Sequence, residues 1–278
     1  TLLKPHVKEM QLIIPHGIFR SEYQALDYSI KNDFYDAILH CDAVLFLKLG
    51  MPFKDTVEKM QYAVKLHKNI ICAVPLPEDA IEAFKLLSRQ EGTTFEYLPV
   101  NKQSNCSIEP PNHLTQPAAS VVFVGELISG GCDGNHIAFL LRERFLMDGY
   151  RVSVILDSEV AHLFGFHSHD EFLTHTNMDE ETKVALINKL VNETCNQELT
   201  DILIIVLPGS MLRIRQDIIY QSGVKAYIWS QAIEADCFVL CAGYKMLDFN
   251  QLDPLLTLME NRYSCSVDCI HIANSKAD

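Results

Sequence analysis

Residues 120–141 read SVVFVGELISGGCDGNHIAFLL, and this stretch decides the fold of the chain. Its first six residues form an apolar run with the length and composition of a strand that is buried on both faces. A glycine-rich turn follows, and apolar residues then recur at helical spacing from residue 137 to residue 145. The pattern predicts a strand, a tight turn and a helix, which together are the building block of a parallel sheet covered by helices.

The same alternation of strands and helices continues on both sides of this stretch. Downstream, the sequence predicts helices over 135–147, 180–196 and 252–262, and strands over 151–156, 201–207, 236–241 and 266–272. Upstream, it predicts helices over 56–67 and 78–91, and strands over 10–14, 43–47, 69–74 and 95–98.

A polar segment, VNKQSNCSIEPPNHLTQPAA over residues 99–118, interrupts the alternation with three prolines and no periodicity. Such composition is typical of a linker between domains, and 278 residues are enough for two of them. We therefore predict an α/β fold with two Rossmann-like or P-loop-like parallel-sheet domains. The N-terminal domain covers residues 1–98, the Pro-rich linker 99–118 and the C-terminal domain 119–278.

Charge and hydropathy exclude two classes of partner. The formal net charge of −13 disfavours binding to nucleic acid or to an anionic membrane, because both need clustered Lys and Arg. The sequence contains no apolar run near the ~20 residues that a membrane helix requires, and no signal peptide. We therefore expect a cytoplasmic protein. The chain starts at Thr1 and runs almost directly into a strand, so we also expect that N-terminal residues precede it.

The nine cysteines are scattered, and several fall inside predicted strands. This distribution favours buried thiols in a reducing compartment. The alternative is a zinc or iron–sulfur site built from two pairs with a spacing of four, Cys237 with Cys241 and Cys265 with Cys269.

The glycine turn has the geometry of a phosphate site, since it directs backbone N–H groups and a helix N-terminus at one point. Gly125 and Gly130 match the spacing of the P-loop pattern GxxxxGK[ST], but Gly131 replaces its Lys and Cys132 its Ser or Thr. The turn is therefore either a degenerate ligand-binding loop, with nucleotide as the cofactor left open, or a tight connection. The candidate ligand-binding residues here are Gly130, Gly131, Asp133, Gly134, Asn135 and His136.

Two further segments follow predicted strands. HLFGFHSHDEFLTH contains His162, His167, His169 and His175. His167, His169 and Asp170 are candidate metal ligands, His167 and Ser168 candidate ligand contacts, and the remaining alternative is a solvated loop with Asp170 as a helix cap. Pro208, Gly209 and Ser210 end the strand over 201–207. Because the carboxyl ends of parallel strands share one edge, we expect these segments and the glycine turn to form one pocket.

Several of these segments together resemble a known family. GGCDGNHIAFLLRERF, GYRVSVILDS, HLFGFHSHDEF and ILIIVLPGSM, preceded by CDAVLFL and HKNIICAV, are similar to a clostridial family of peptide maturation system proteins. These proteins are encoded in natural-product cassettes beside a bacteriocin-like precursor peptide and a radical SAM maturase. The family commonly has a Lys where Gly134 stands, and an aromatic residue where His169 and Asp170 intervene.

The resemblance implies an accessory role in the biosynthesis of a ribosomal peptide, with the precursor peptide or the radical SAM maturase as partner. It implies no catalytic residues, so we expect a protein that is not an enzyme on its own. Two alternatives stay open from the residues themselves. One is a nucleotide-binding enzyme or ATP-dependent switch that uses residues 125–136, and the other is a metal-dependent enzyme that uses the cluster from His162 to His175.

Overall fold

The computed structural model describes residues 11–13, 29–31, 33–47, 53–98, 110–111, 113–128, 132–156, 161–169, 178–213, 223–244 and 252–273. The chain divides into two compact units. The first comprises residues 1–101 with 162–164, and the second comprises residues 102–161 with 165–278. No helix in the described part of the chain is long and apolar enough to cross a membrane.

The first unit is a small parallel α/β layer. Its strands are β1 (Gln11–Ile13), β2 (Ser29–Lys31), β3 (Ala43–Phe46), β4 (Asn69–Cys72) and β5 (Phe95–Tyr97). Its helices are α1 (Phe34–Ala37), a 3-10 turn (Ile38–His40), α2 (Phe53–Lys65) and α3 (Glu78–Gln90). Strands β1 and β2 pair with each other, and β3, β4 and β5 form a three-stranded sheet in that order, all parallel.

The core of the first unit follows from the helical periodicity of its sequence. Met60, Ala63 and Val64 lie three and four positions apart on α2, and all three are fully buried with Ile70 of β4. Phe84 of α3 stacks against Phe95 at a centroid distance of 5.5 Å, which closes the other side of this core.

The second unit is larger. Its strands are β6 (Ser120–Glu126), β7 (Val152–Leu156), β8 (His167–Ser168), β9 (Ile202–Ser210), β10 (Cys237–Gly243) and β11 (Cys269–Ala273). Its helices are α4 (Gly134–Met147), α5 (Glu180–Glu198), α6 (Val224–Ala232) and α7 (Leu252–Tyr263). All strands are parallel, in the order β11-β10-β6-β9-β7-β8, so β6 and β9 lie at the centre.

The predicted α/β class with parallel sheets in both halves of the chain is therefore confirmed. One local prediction is wrong, and one helix was not predicted. The strand over 201–207 does not end in a turn at Pro208, because β9 continues to Ser210 through a register shift against β6 and a positive φ of 72° at Gly209. Helix α6 has no counterpart in the prediction, since five of its nine residues are buried and it shows no single apolar stripe.

Residues at the end of the predicted linker pack into the second unit. The backbone N–H of Thr115 donates to Asn188 Oδ1 at 3.0 Å, and Gln116 Oε1 accepts from the N–H of Glu234 at 3.1 Å. Ala119 is buried in the same core. This end of the segment is thus held by a side chain of α5 and by the backbone of the turn before β10.

An aspartate precedes three strands of the second sheet and ties each to its neighbour. Asp201 accepts from the N–H of Arg151, Asp236 from that of Val121 and Asp268 from that of Phe238, each at 2.8 Å. Each carboxylate accepts from an N–H at the amino end of the adjacent strand, just before the ladder between those two strands begins. The repeated contact fixes the register of β9, β10 and β11.

We expect the contribution of Asp201 to stability to disappear in acid. Hydrogen bonds from the Arg151 guanidinium, at 2.9 and 2.6 Å, and from the Arg151 N–H lower the pKa of Asp201 to about 2. A lowered pKa gives stability that is present above the unfolded value of about 4 and is lost as pH falls toward 2. The difference in urea midpoint between the native protein and Asp201→Asn should therefore be largest above pH 4 and shrink toward pH 2.

Glu193→Gln, which removes an exposed carboxylate from α5, controls for the loss of one negative charge. An Asp201→Asn difference that stays constant from pH 6 to pH 2 would contradict the assignment of the stability to the ionised carboxylate.

Candidate functional site at the carboxyl edge of the second sheet

The carboxyl edge of the central strands is organised around Glu126, the last residue of β6. Glu126 lies opposite Ser210 of β9, and its carbonyl accepts from the N–H of Met211 at 2.9 Å. On the other side, the N–H of Leu127 donates to the carbonyl of Cys241 in β10 at 2.9 Å. The backbone of Glu126 is thus held by both neighbouring strands, which fixes the point from which its side chain starts.

The Glu126 side chain ends at the N-terminus of α4. Its Oε1 accepts from the N–H of Gly134, the first residue of that helix, at 2.6 Å. The preceding residue, Asp133, has a left-handed backbone with φ 61°, and its own side chain does not cap the helix. A carboxylate at this position is stabilised by the positive end of the helix dipole. Glu126 therefore supplies the cap that Asp133 does not.

Glycine at position 134 is required by this contact. A Cβ added there would lie 2.7 Å from Glu126 Cγ and 2.8 Å from its Oε1. Only a residue without a side chain allows the carboxylate to reach the backbone N–H. The glycine of the turn thus serves the close approach of a protein carboxylate.

This arrangement disfavours a nucleotide phosphate at the glycine turn. A phosphate would need the N–H groups at the start of α4, and one of them already donates to an anion that belongs to the chain itself. The negative charges of Glu126 and Asp133 would also repel a second anion. Together with the absence of the P-loop Lys and hydroxyl at positions 131 and 132, this disfavours nucleotide hydrolysis.

The thiols near this edge are unsuited to nucleophilic chemistry. Cys132 and Cys241 are fully buried. Burial raises the pKa of Cys132, and burial followed by the charge of Glu126 raises the pKa of Cys241 to about 12. A nucleophilic cysteine needs the opposite shift. His271 of β11 lies near the start of α4, with its Nε2 at 3.8 Å from Asp133 Oδ2.

The histidines of the second predicted segment have different partners. His167 lies on β8, and its Nε2 is 2.8 Å from Glu198 Oε1 at the end of α5. Glu198 also accepts a hydrogen bond from Ser153. His169 is buried, with its ring centroid 4.8 Å from that of Trp229 on α6. The sequence did not predict the partners Glu198 and Trp229, because each lies thirty or more residues away.

No metal site forms from this cluster in the part of the chain that the structure describes. Among those residues, no three His, Cys, Asp or Glu side chains are grouped so that they could hold an ion, which also applies to the cysteines of β10 and β11. None of the described cysteines forms a disulfide. The side chain of His162, together with Asp170 and His175, lies outside the described residues.

The other candidate residues divide between the edge and the core. Asn135 and His136 are exposed on the first turn of α4, while Pro208 and Ser210 are buried and Ser168 lies on β8. Gly130 and Gly131 lie outside the described residues. The structure brings Asp133, Gly134 and Ser210 together around Glu126. Glu126 was not among the site residues predicted from the sequence, although a single acid at the end of an apolar strand was the available signal.

No protein-family model and no curated protein matches the chain. Among solved structures, the chain is similar to a DUF1611 family protein from Anabaena variabilis. The two are 13% identical with a TM-score of 0.59, and the match covers 90% of this chain and 74% of the other. At this identity the similarity shows the fold alone.

Proposed function

We propose that the chain is a non-hydrolytic accessory protein of a ribosomal-peptide maturation system, and that it binds the precursor peptide. The observation that carries the proposal is the hydrogen bond from the Gly134 N–H to the Glu126 carboxylate. It supports a binding role without nucleotide hydrolysis at the carboxyl edge of the sheet, because the helix N-terminus that would hold a phosphate already holds a carboxylate. The similarity of the sequence segments to peptide maturation system proteins supplies the substrate class.

The charge of the chain favours a basic ligand over an anionic one. The net charge is −13, and both Glu126 and Asp133 lie at the edge where ligands of parallel sheets bind. Charges of this kind attract a Lys- or Arg-containing peptide and repel nucleotides. The radical SAM maturase is the other partner of such a system, and its binding is an outcome of the test below.

Thermal unfolding of the full chain with different ligands tests this proposal. We expect a synthetic copy of the precursor peptide from the same cassette, at ~100 times its Kd, to stabilise the protein by about 2.7 kcal/mol. ATP, GTP and NAD should give no shift. Trp229, the single tryptophan, is fully buried in the second unit and reports its unfolding by fluorescence.

A scrambled peptide of the same composition separates recognition of sequence from attraction of charge. A shift with ATP or GTP and none with the peptide would overturn the proposal in favour of a nucleotide-dependent enzyme or switch. A shift with the maturase alone would retain an accessory role but replace the peptide as the partner.

A further inference from the structure

We propose that the outer edge of β11 binds an extended basic peptide as a seventh strand of the second sheet. The inference rests on the proposed function and deepens it, because it assigns the surface that holds the peptide. Strand β11 is the last strand of the sheet on its side, with no strand beyond it among the described residues. The opposite edge is β8, which has only two residues, whereas β11 has five.

The direction of the backbone groups of β11 follows from one hydrogen bond and from the register of its pairing with β10. The N–H of Asp268 donates to the carbonyl of Phe238 in β10 at 3.0 Å. Because successive residues of a strand direct their N–H and C=O groups to opposite sides, Leu240 of β10 also faces β11. Leu240 lies opposite Ile270, and in a parallel ladder only one residue of such a pair faces the partner strand. Ile270 and, two residues further on, Ile272 therefore direct their backbone groups away from the sheet. An extended peptide requires such a row of alternating donors and acceptors.

The residues of β11 include none of the features that usually prevent strand addition at a sheet edge. Exposed edge strands are commonly blocked by Lys, by Pro, by a bulge or by short length. The sequence of β11 is CIHIA, without Lys or Pro, and it pairs with β10 in unbroken register over all five residues. Cys269 is exposed, and Ile272 retains 41% of its accessible surface. A partner strand would cover this apolar surface.

Carboxylates at both ends of β11 favour a basic occupant. Asp268 is exposed immediately before the strand. Asp133, whose side chain is 46% exposed, faces His271 near the other end. Lys or Arg side chains of a bound strand would lie close to these two carboxylates, whereas an acidic strand would be repelled.

Hydrogen exchange of the full chain with a defined probe tests the assignment. The probe is a fluorescein-labelled Lys-Val-Lys-Val-Lys-Val-Lys peptide, with the Glu-for-Lys peptide as its charge-reversed control. We expect binding of the Lys peptide to slow exchange at the amides of Ile270 and Ile272. The amides of Cys269, His271 and Ala273 already face β10 and should change little, and the Glu peptide should not bind.

Two matched variants provide an independent test. Cys269→Lys places a positive charge on the exposed edge and should weaken binding of the Lys peptide about 10-fold or more, whereas Cys269→Ser should bind as the native protein does. Unchanged unfolding midpoints would show that both variants fold. Equal affinity of the two variants, or protection of amides elsewhere, would overturn the edge assignment and leave the proposed function standing. If neither the Lys peptide nor the precursor peptide binds, both proposals fail.

Discussion

Replacing Asn188 by alanine is expected to lower the free energy of unfolding of the second unit by about 3 kcal/mol. Asn188 lies on α5 with 1% of its surface exposed. Its Nδ2 donates to the carbonyls of Thr115 and Ala232, at 2.7 and 2.8 Å, and its Oδ1 accepts from the Thr115 N–H at 3.0 Å. One side chain thus ties the segment before β6 and the end of α6 to α5.

The size of this effect comes from the backbone groups that would lose their partner. A buried donor or acceptor left without a hydrogen bond costs about 1–3 kcal/mol, and the substitution also leaves a cavity. Urea unfolding followed by Trp229 fluorescence measures the loss. Asn192→Ala is the matched control, because its amide also donates to the Thr115 carbonyl but from a more exposed position, so we expect a loss below about 1 kcal/mol. Equal losses in the two variants would refute the argument.

Replacing Glu126 by alanine is expected to cost about 2 kcal/mol and to change which anions the protein binds. The substitution removes a charge-assisted hydrogen bond of 2.6 Å and leaves the Gly134 N–H at the positive end of α4 without its carboxylate. Glu126→Gln retains an acceptor without the charge, so its loss should be smaller, about 1 kcal/mol. The urea unfolding midpoints of the two Glu126 variants measure both losses.

The Glu126→Ala variant also tests whether the Glu126 carboxylate occupies the anion position at the glycine turn. In Glu126→Ala, 10 mM inorganic phosphate should raise the unfolding temperature, because the helix N-terminus becomes open to an external anion. The native protein should show no such increase. Glu143→Ala, which removes an exposed carboxylate from the same helix, controls for net charge. An equal rise in the native protein would mean that Glu126 does not occupy the anion position.

Several features of the fold were predictable because their signals are local. The apolar run of β6, the glycine turn and the stripe on α4 are adjacent in sequence, and their periods distinguish strand from helix. The same holds for α2, whose buried Met60, Ala63 and Val64 recur at helical spacing. Strands alternating with helices are joined into parallel sheets by right-handed crossovers, so the fold class followed from the order of the elements.

Other features depend on contacts between distant parts of the chain. Five of the nine residues of α6 are buried without forming a single apolar stripe, so no periodicity marks the helix in the sequence. Strand β9 extends to Ser210 only because β6 continues beside it. The end of the predicted linker is fixed by Asn188, seventy-three residues from Thr115.

The sequence by itself therefore determined most of the elements, their alternation along the chain and the position of a glycine turn at the end of β6. Tertiary structure alone decided what the turn holds, because the direction of the Glu126 side chain depends on the strands on both sides of it. Once β9 and β10 fix the backbone of Glu126, its carboxylate reaches Gly134 and occupies the helix N-terminus. At the glycine turn, whose sequence suits a phosphate site, the N-terminus of α4 is thus occupied by a carboxylate of the protein itself.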